Sequence, residues 1–237
     1  MTIDHIAHHD LITDQVVNDV FRIIGRIAMP LFCMIVAYGV TKSRNPWKFA
    51  LRLYLFAVVV QVCLLIYDTD YYFNNWWNVF FTLSFGVAAA SLLKLCTQMV
   101  KKYRSNMALP QILAIAMAFI GAFGIVMMVE LLRLPIDYGA SGVLLVVMFY
   151  IVIQHSMKLL KLAAVFIIAL WCSMLSFTQW WVTSWGWQIQ WFALMAVPFI
   201  WVFVDRKLKI TAVEKYAFYV FYPLHMIIIF LIQTWFL

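Results

Sequence analysis

Charge is what this chain has least of. Of its 237 residues, 10 are acidic and 17 basic, so 11% are charged, and 66% are apolar, with a mean hydropathy of +0.94. Soluble domains run to about 25% charged and about 45–50% apolar. That deficit excludes a water-soluble globule, a disordered chain, a coiled coil and a nucleic-acid-binding domain. Glycine is also sparse, 8 in all, and no phosphate-binding loop, Rossmann glycine pattern, G-x-S-x-G elbow or kinase signature occurs. The four cysteines, Cys33, Cys63, Cys96 and Cys172, lie in or beside apolar runs. None forms a C-x-x-C pair, so neither a zinc site nor a disulfide framework is indicated, and small buried thiols are expected.

What is present is apolar run length. The runs are Phe21–Val40, Trp47–Tyr67, Asn78–Leu93, Leu109–Leu132, Ser141–His155, Leu159–Phe177, Trp185–Val204 and Tyr216–Leu237. A span takes roughly 20 residues, so the chain has room for about eight. Lipid offers the backbone no hydrogen-bond partner, so each run is expected to be helical. The expected architecture is all-α: a polytopic transmembrane helix bundle of about eight spans. It forms a single transmembrane domain over residues 1–237, with residues 1–20 facing outward and residues 21–237 making the bundle. Asn78–Leu93 and Ser141–His155 are short for a full crossing.

Basic residues sort by loop. Of the 17, 14 flank the odd-numbered connections, one (Arg133) lies in an even one, and Arg22 and Arg26 lie inside the first run. The net charge of +7 therefore reads as cytoplasmic loops, and not as a nucleic-acid surface. Odd connections are placed in the cytoplasm, which leaves the N- and C-termini outside and predicts a multi-pass cell-membrane protein. Trp76, Trp77, Trp180, Trp181, Trp185 and Trp187 crowd the outer loops, as an interfacial aromatic belt or a substrate-binding rim. In the first twenty residues, Ile3, Ile6, Ala7, Leu11, Ile12, Val16 and Val17 suggest a short helix lying on the outer surface.

Titratable groups within apolar runs cost about 2.5–3.5 kcal/mol each at a span's centre, so function is sought there. Arg22 and Arg26 are four apart and share a helix face. They either snorkel or clamp a carbonyl oxygen or carboxylate inside the bundle. His225 lies near the middle of the last run in Phe-Tyr-Pro-Leu-His, where Pro223 frees a backbone carbonyl and bends the helix. Such a site suits a functional imidazole or a helix–helix hydrogen bond. His5 follows Asp4; neighbours on a helix face apart unless the backbone departs from the helix there. His5 and His9 have ligand spacing, but no H-E-x-x-H follows, and no metal is assigned. Glu130, Asp137, Gln154 and His155 lie near span ends, where solvated roles are expected. Asn78 is suited to cap a helix N-terminus.

Four segments then carry a resemblance: Asp4-His5, RIIGRIAMPLF (Arg22–Phe32), NVFFTLSFG (Asn78–Gly86) and FYPLH (Phe221–His225). In order and spacing they resemble the TraX family of integral membrane proteins, over nearly the whole chain. The resemblance implies a membrane acyltransferase-like protein. Its members are associated with acetylation of a pilin N-terminus, and they are similar to acyltransferases that use coenzyme A thioesters. Carried over residue by residue, it falls on Asp4, His5, Gly25, Arg26, Pro30, Asn78, Tyr222 and His225, with Arg22 matching less consistently. Family members have an apolar span just before the Asp-His pair, whereas three residues precede it here, so a first helix upstream is expected.

What the resemblance implies chemically is acetyl transfer from acetyl-CoA to an amine or hydroxyl of an exported pilin-like protein or envelope glycan. His5 or His225 would act as base, with Asp4 orienting or charge-balancing the imidazole. Arg26 would steady an oxyanion and Tyr222 would donate a hydrogen bond. Lys101, Lys102 and Arg104, with Asn78, are the expected donor-binding residues. A proton-coupled carrier, or a non-catalytic subunit of a secretion or conjugation complex, are the competing readings.

Overall fold

A computed structural model describes residues 2–8, 12–67, 76–103, 109–178, 182–206 and 212–236. In chain order the helices are α1 (Thr2–His8), α2 (Gln15–Gly25), α3 (Ala28–Lys42), α4 (Pro46–Tyr67), α5 (Val79–Lys102), α6 (Leu109–Leu131), α7 (Gly139–His155) and α8 (Met157–Thr178). A 3₁₀ helix (Ile189–Ala196), α9 (Val197–Arg206) and α10 (Ala212–Phe236) follow. Among the described residues there is no strand, only the isolated bridges Trp77–Ile136 and Val182–Gln188. The all-α expectation holds. Among the described residues, five helical stretches are long and apolar enough to cross a membrane: Gln15–Lys42, Pro46–Ile66, Val79–Lys102, Leu109–Leu131 and Met157–Ser176. Shorter apolar helices occupy Gly139–His155, Ile189–Asp205 and Val220–Ile232.

The helices fall into two compact units, Met1–Phe32 with Lys161–Leu237, and Cys33–Leu160. In the second unit α5 is the central element. Gly86 lets α7 approach closely: a Cβ there would lie 2.7 Å from Val146 Cβ. Asn78 caps α5, accepting from Phe80 N–H at 3.1 Å. Its amide donates to Ala57 O and Gln61 Oε1, both at 2.9 Å. The buried Lys94 donates to the carbonyls of Val40, Thr41 and Ser43 at 2.7–3.1 Å. Its charge thus meets two C-terminal carbonyls of α3, those of Val40 and Thr41, and the carbonyl of Ser43 just past the helix end. In contrast, α6 exposes Met117, Phe119, Ile120 and Phe123, a face that suits lipid contact.

Four expectations about element boundaries change. The run from Asn78 is not short, because α5 continues to Lys102; Lys94 looks like a terminator in sequence but is satisfied inside. The first run is not one continuous helix, because α2 ends at Gly25 and α3 begins at Ala28. Pro30 has no N–H to give to the Arg26 carbonyl four residues back, which favours a break there. The run from Trp185 does not begin as a helix. Residues 182–188 form a tight loop, with Thr183 N–H donating to Trp187 O at 2.8 Å and Gly186 at φ 84°, and the chain then enters a 3₁₀ turn. Finally, the N-terminal apolar set does not face one way: Ile3, Val16 and Val17 are exposed while Ala7 is buried. Leu11 lies outside the described residues.

Candidate functional site

The site lies in the first unit and is built by α1, α2, the 3₁₀ helix and α10. Asp14 caps α2, accepting from Val16 N–H at 2.8 Å and Val17 N–H at 3.1 Å, an arrangement that contributes about 1 kcal/mol. Asn18 on α2 donates to Ala7 O at the end of α1, 3.0 Å away. These bonds fold α1 back along α2. Asp19 fastens the other edge, accepting from Ser184 N–H at 2.7 Å and Ser184 O–H at 2.5 Å. That fixes the loop leading into the 3₁₀ helix.

Adjacent positions on α1 serve different neighbours, as helical geometry demands. Asp4 faces α2. It accepts from Arg26 Nη2 at 2.9 Å and lies 3.8 Å from Arg22 Nε. Gly25 makes this approach possible, since a Cβ there would come within 2.6 Å of Asp4 Cγ. Burial raises the Asp4 pKa, but Arg26, Arg22 and His5 together outweigh it and hold the carboxyl below its ordinary value. His5 instead turns toward α10. Its ring centroid lies 5.3 Å from that of His225 and 5.9 Å from that of Tyr222, edge-on to both. Tyr222 and His225 are themselves edge-on at 5.2 Å, and Phe221 stacks on His225 at 5.1 Å.

His225 is 5% exposed. Its Nδ1 lies 2.9 Å from Phe221 O. A carbonyl only accepts, so that bond assigns the proton to Nδ1 and leaves a lone pair on Nε2 in the neutral ring. Among the described residues, that Nε2 is buried without a hydrogen-bond partner. Arg26 is 8% exposed and donates to Asp4, to Gln190 Oε1 at 3.4 Å and, through Nε, to Arg22 O at 3.4 Å. The arrangement is a buried pair of imidazoles beside a phenol, with a carboxylate–guanidinium cluster along one side. It has the parts for proton transfer next to developing negative charge.

Asp4, His5, Arg22, Arg26, Tyr222 and His225 are therefore brought together. Asn78, Lys101 and Lys102 belong to the second unit. Both N–H groups of the Asn78 amide are taken by Ala57 and Gln61, so it acts as a cap and tie. Lys101 and Lys102 are exposed at the end of α5, with Lys102 Nζ 5.1 Å from the Tyr103 ring centre. Arg104 and His9 lie outside the described residues, and so do Trp180 and Trp181. No group of three or more His, Cys, Asp or Glu suited to a metal ion occurs among the described residues. Sequence reasoning missed Gln190, Gln61 and Lys94. For Gln190 a signal existed, a lone amide inside the apolar run Ile189–Ala196.

Comparison with known proteins returns the same family. The family model described as "TraX protein" matches residues 1–233. The chain is 26% identical over 235 residues to the protein named "Probable fimbrial assembly protein FimC, serogroup H1" of Dichelobacter nodosus, covering 95% of this chain and 87% of that one. No solved structure matches.

Proposed function

The chain belongs to the TraX family of membrane proteins, and from that premise we propose that it is a membrane acyltransferase. In this reading it moves acetyl from acetyl-CoA to an amine or hydroxyl of an exported acceptor. A relative named for fimbrial assembly favours a pilin-like subunit over an envelope glycan. The observation that carries the reading is His225: a buried imidazole whose Nδ1 is engaged by Phe221 O and whose Nε2 is open, beside His5, Tyr222 and the Asp4–Arg26 pair.

In the proposed step His225 Nε2 takes the acceptor's proton. The acceptor nitrogen or oxygen bonds to the thioester carbonyl carbon, and the carbonyl electron pair moves onto oxygen. The collapse of that oxyanion breaks the carbon–sulfur bond, and the departing thiolate recovers a proton from the His225 imidazolium. Arg26 supplies positive charge to the oxyanion while Asp4 holds Arg26 in place. Tyr222 donates a hydrogen bond, and His5 shares the proton with its ring neighbour. Lys101, Lys102 and Arg104 are assigned to the donor's phosphates on charge alone.

Purified protein in detergent or nanodiscs, given acetyl-CoA and a pilin N-terminal peptide, is expected to release coenzyme A thiol. His225→Ala and His5→Ala should each lower the rate by about 10²–10⁴-fold, the range for loss of a general acid or base. Thiol release unaffected by either change would remove this site from the chemistry. Proton uptake without thiol release would place the protein among carriers.

A further inference from the structure

Gln190 has no part in the step just described, yet it is 6% exposed and held on two sides. It sits in the 3₁₀ segment that leads into α9, a backbone form uncommon over a stretch this long. Its own backbone carbonyl accepts from Cys172 Sγ at 3.1 Å, which anchors the residue to α8. Its side-chain Oε1 accepts from Arg26 Nη1 at 3.4 Å. A guanidinium carries donors only, so the oxygen of the amide must be the atom facing Arg26. The NH₂ then points elsewhere, and among the described residues that buried Nε2 has no hydrogen-bond partner. A buried amide donor left open is unusual in a folded protein and calls for an acceptor. The one the neighbouring chemistry supplies is an oxygen that becomes more negative during reaction.

We propose that Gln190 is a further catalytic residue, whose Nε2 donates a hydrogen bond to the carbonyl oxygen of the acyl donor. The inference rests on the acyltransferase reading. Arg26 then has two effects on that oxygen: it supplies charge, and it locks the Gln190 amide in the orientation that presents a donor. No bond is made or broken at Gln190; its contribution is to hold the oxyanion.

The test uses the full chain in detergent and two inert analogues of acetyl-CoA. Acetonyl-dethio-CoA keeps the carbonyl oxygen, and S-ethyl-CoA replaces the carbonyl with a methylene. The wild-type protein should bind the ketone about tenfold more tightly than the thioether, as one good hydrogen bond allows. In Gln190→Leu the two should bind alike, with affinity for the thioether unchanged. Gln190→Glu keeps both the shape and the acceptor for Arg26 but has no N–H, so it should lose the same preference even if the leucine variant folds poorly. Equal weakening of both analogues would mean that Gln190 only shapes the fold, and an undiminished preference for the ketone would mean that another group holds the oxygen; either result overturns the assignment and leaves the acyltransferase reading standing. If wild-type protein binds neither analogue and releases no thiol, the acyl-donor reading falls and takes this one with it.

Discussion

Two arginines buried in an apolar bundle need a reason, and Asp4 supplies it. A carboxylate next to Arg26 and Arg22 is stabilised as an anion, and the hydrogen bond it receives from the Arg26 guanidinium is of the strong, charge-assisted kind. Breaking such a cluster from one side leaves buried charge behind, which is the expensive way to lose an ion pair. The sign of the pH effect follows from the lowered Asp4 pKa. Its contribution is fully present above the unfolded value of about 3.9 and is lost only as pH falls through the lower, folded value. The melting temperature of wild-type protein in detergent, compared with Asp4→Asn, should therefore differ by a constant amount from neutral pH to about pH 4, and the gap should close below that. A gap already closing near pH 6 would assign the effect to a histidine instead.

At the scale of elements, the short α1 carries two of the site residues and depends on a gap left by Gly25. The built Cβ at that position meets Asp4 atoms, including Oδ1 at 2.7 Å, and Asp4 cannot withdraw without giving up Arg26. Gly25→Ala is expected to push α1 off α2, with an overpacking cost of about 1–3 kcal/mol. Its readout is a lower melting temperature together with loss of thiol release. Gly124→Ala on α6 is the control. Nothing lies within 4 Å of its Cβ position, and alanine is the better helix former, so stability should hold or rise slightly. If both variants melt alike, the close approach at Gly25 is not what positions α1.

For the whole molecule, topology and site had different visibility in the sequence. The sorting of 14 basic residues to alternate loops predicts which sides those loops face. In a cysteine-free background, Ser43→Cys should react with an impermeant maleimide only after the cells are opened, and Val182→Cys should react in intact cells. The reverse pattern would invert the assigned orientation. The all-α class, the existence of the long apolar helices, the cap at Asn78 and the polar suspects His5, Arg26 and His225 were all legible, because lipid makes every charge and every long apolar run conspicuous. Three kinds of detail were not. Lys94 looked like the end of a span, since only the fold brings the α3 carbonyls to its ammonium group. The loop and 3₁₀ entry at residues 182–196 were hidden, since hydropathy reports burial and not which hydrogen bonds a backbone makes. Gln190 was overlooked, since an amide has no charge to announce it. Composition alone decided that this chain lives in a membrane and must be helical there, because an unpaired peptide group has no partner in hydrocarbon. Only the tertiary structure decided that Asp4 turns to the arginines while His5 turns to His225, because neighbouring helix positions point about 100° apart and what each meets depends on which helices pack there.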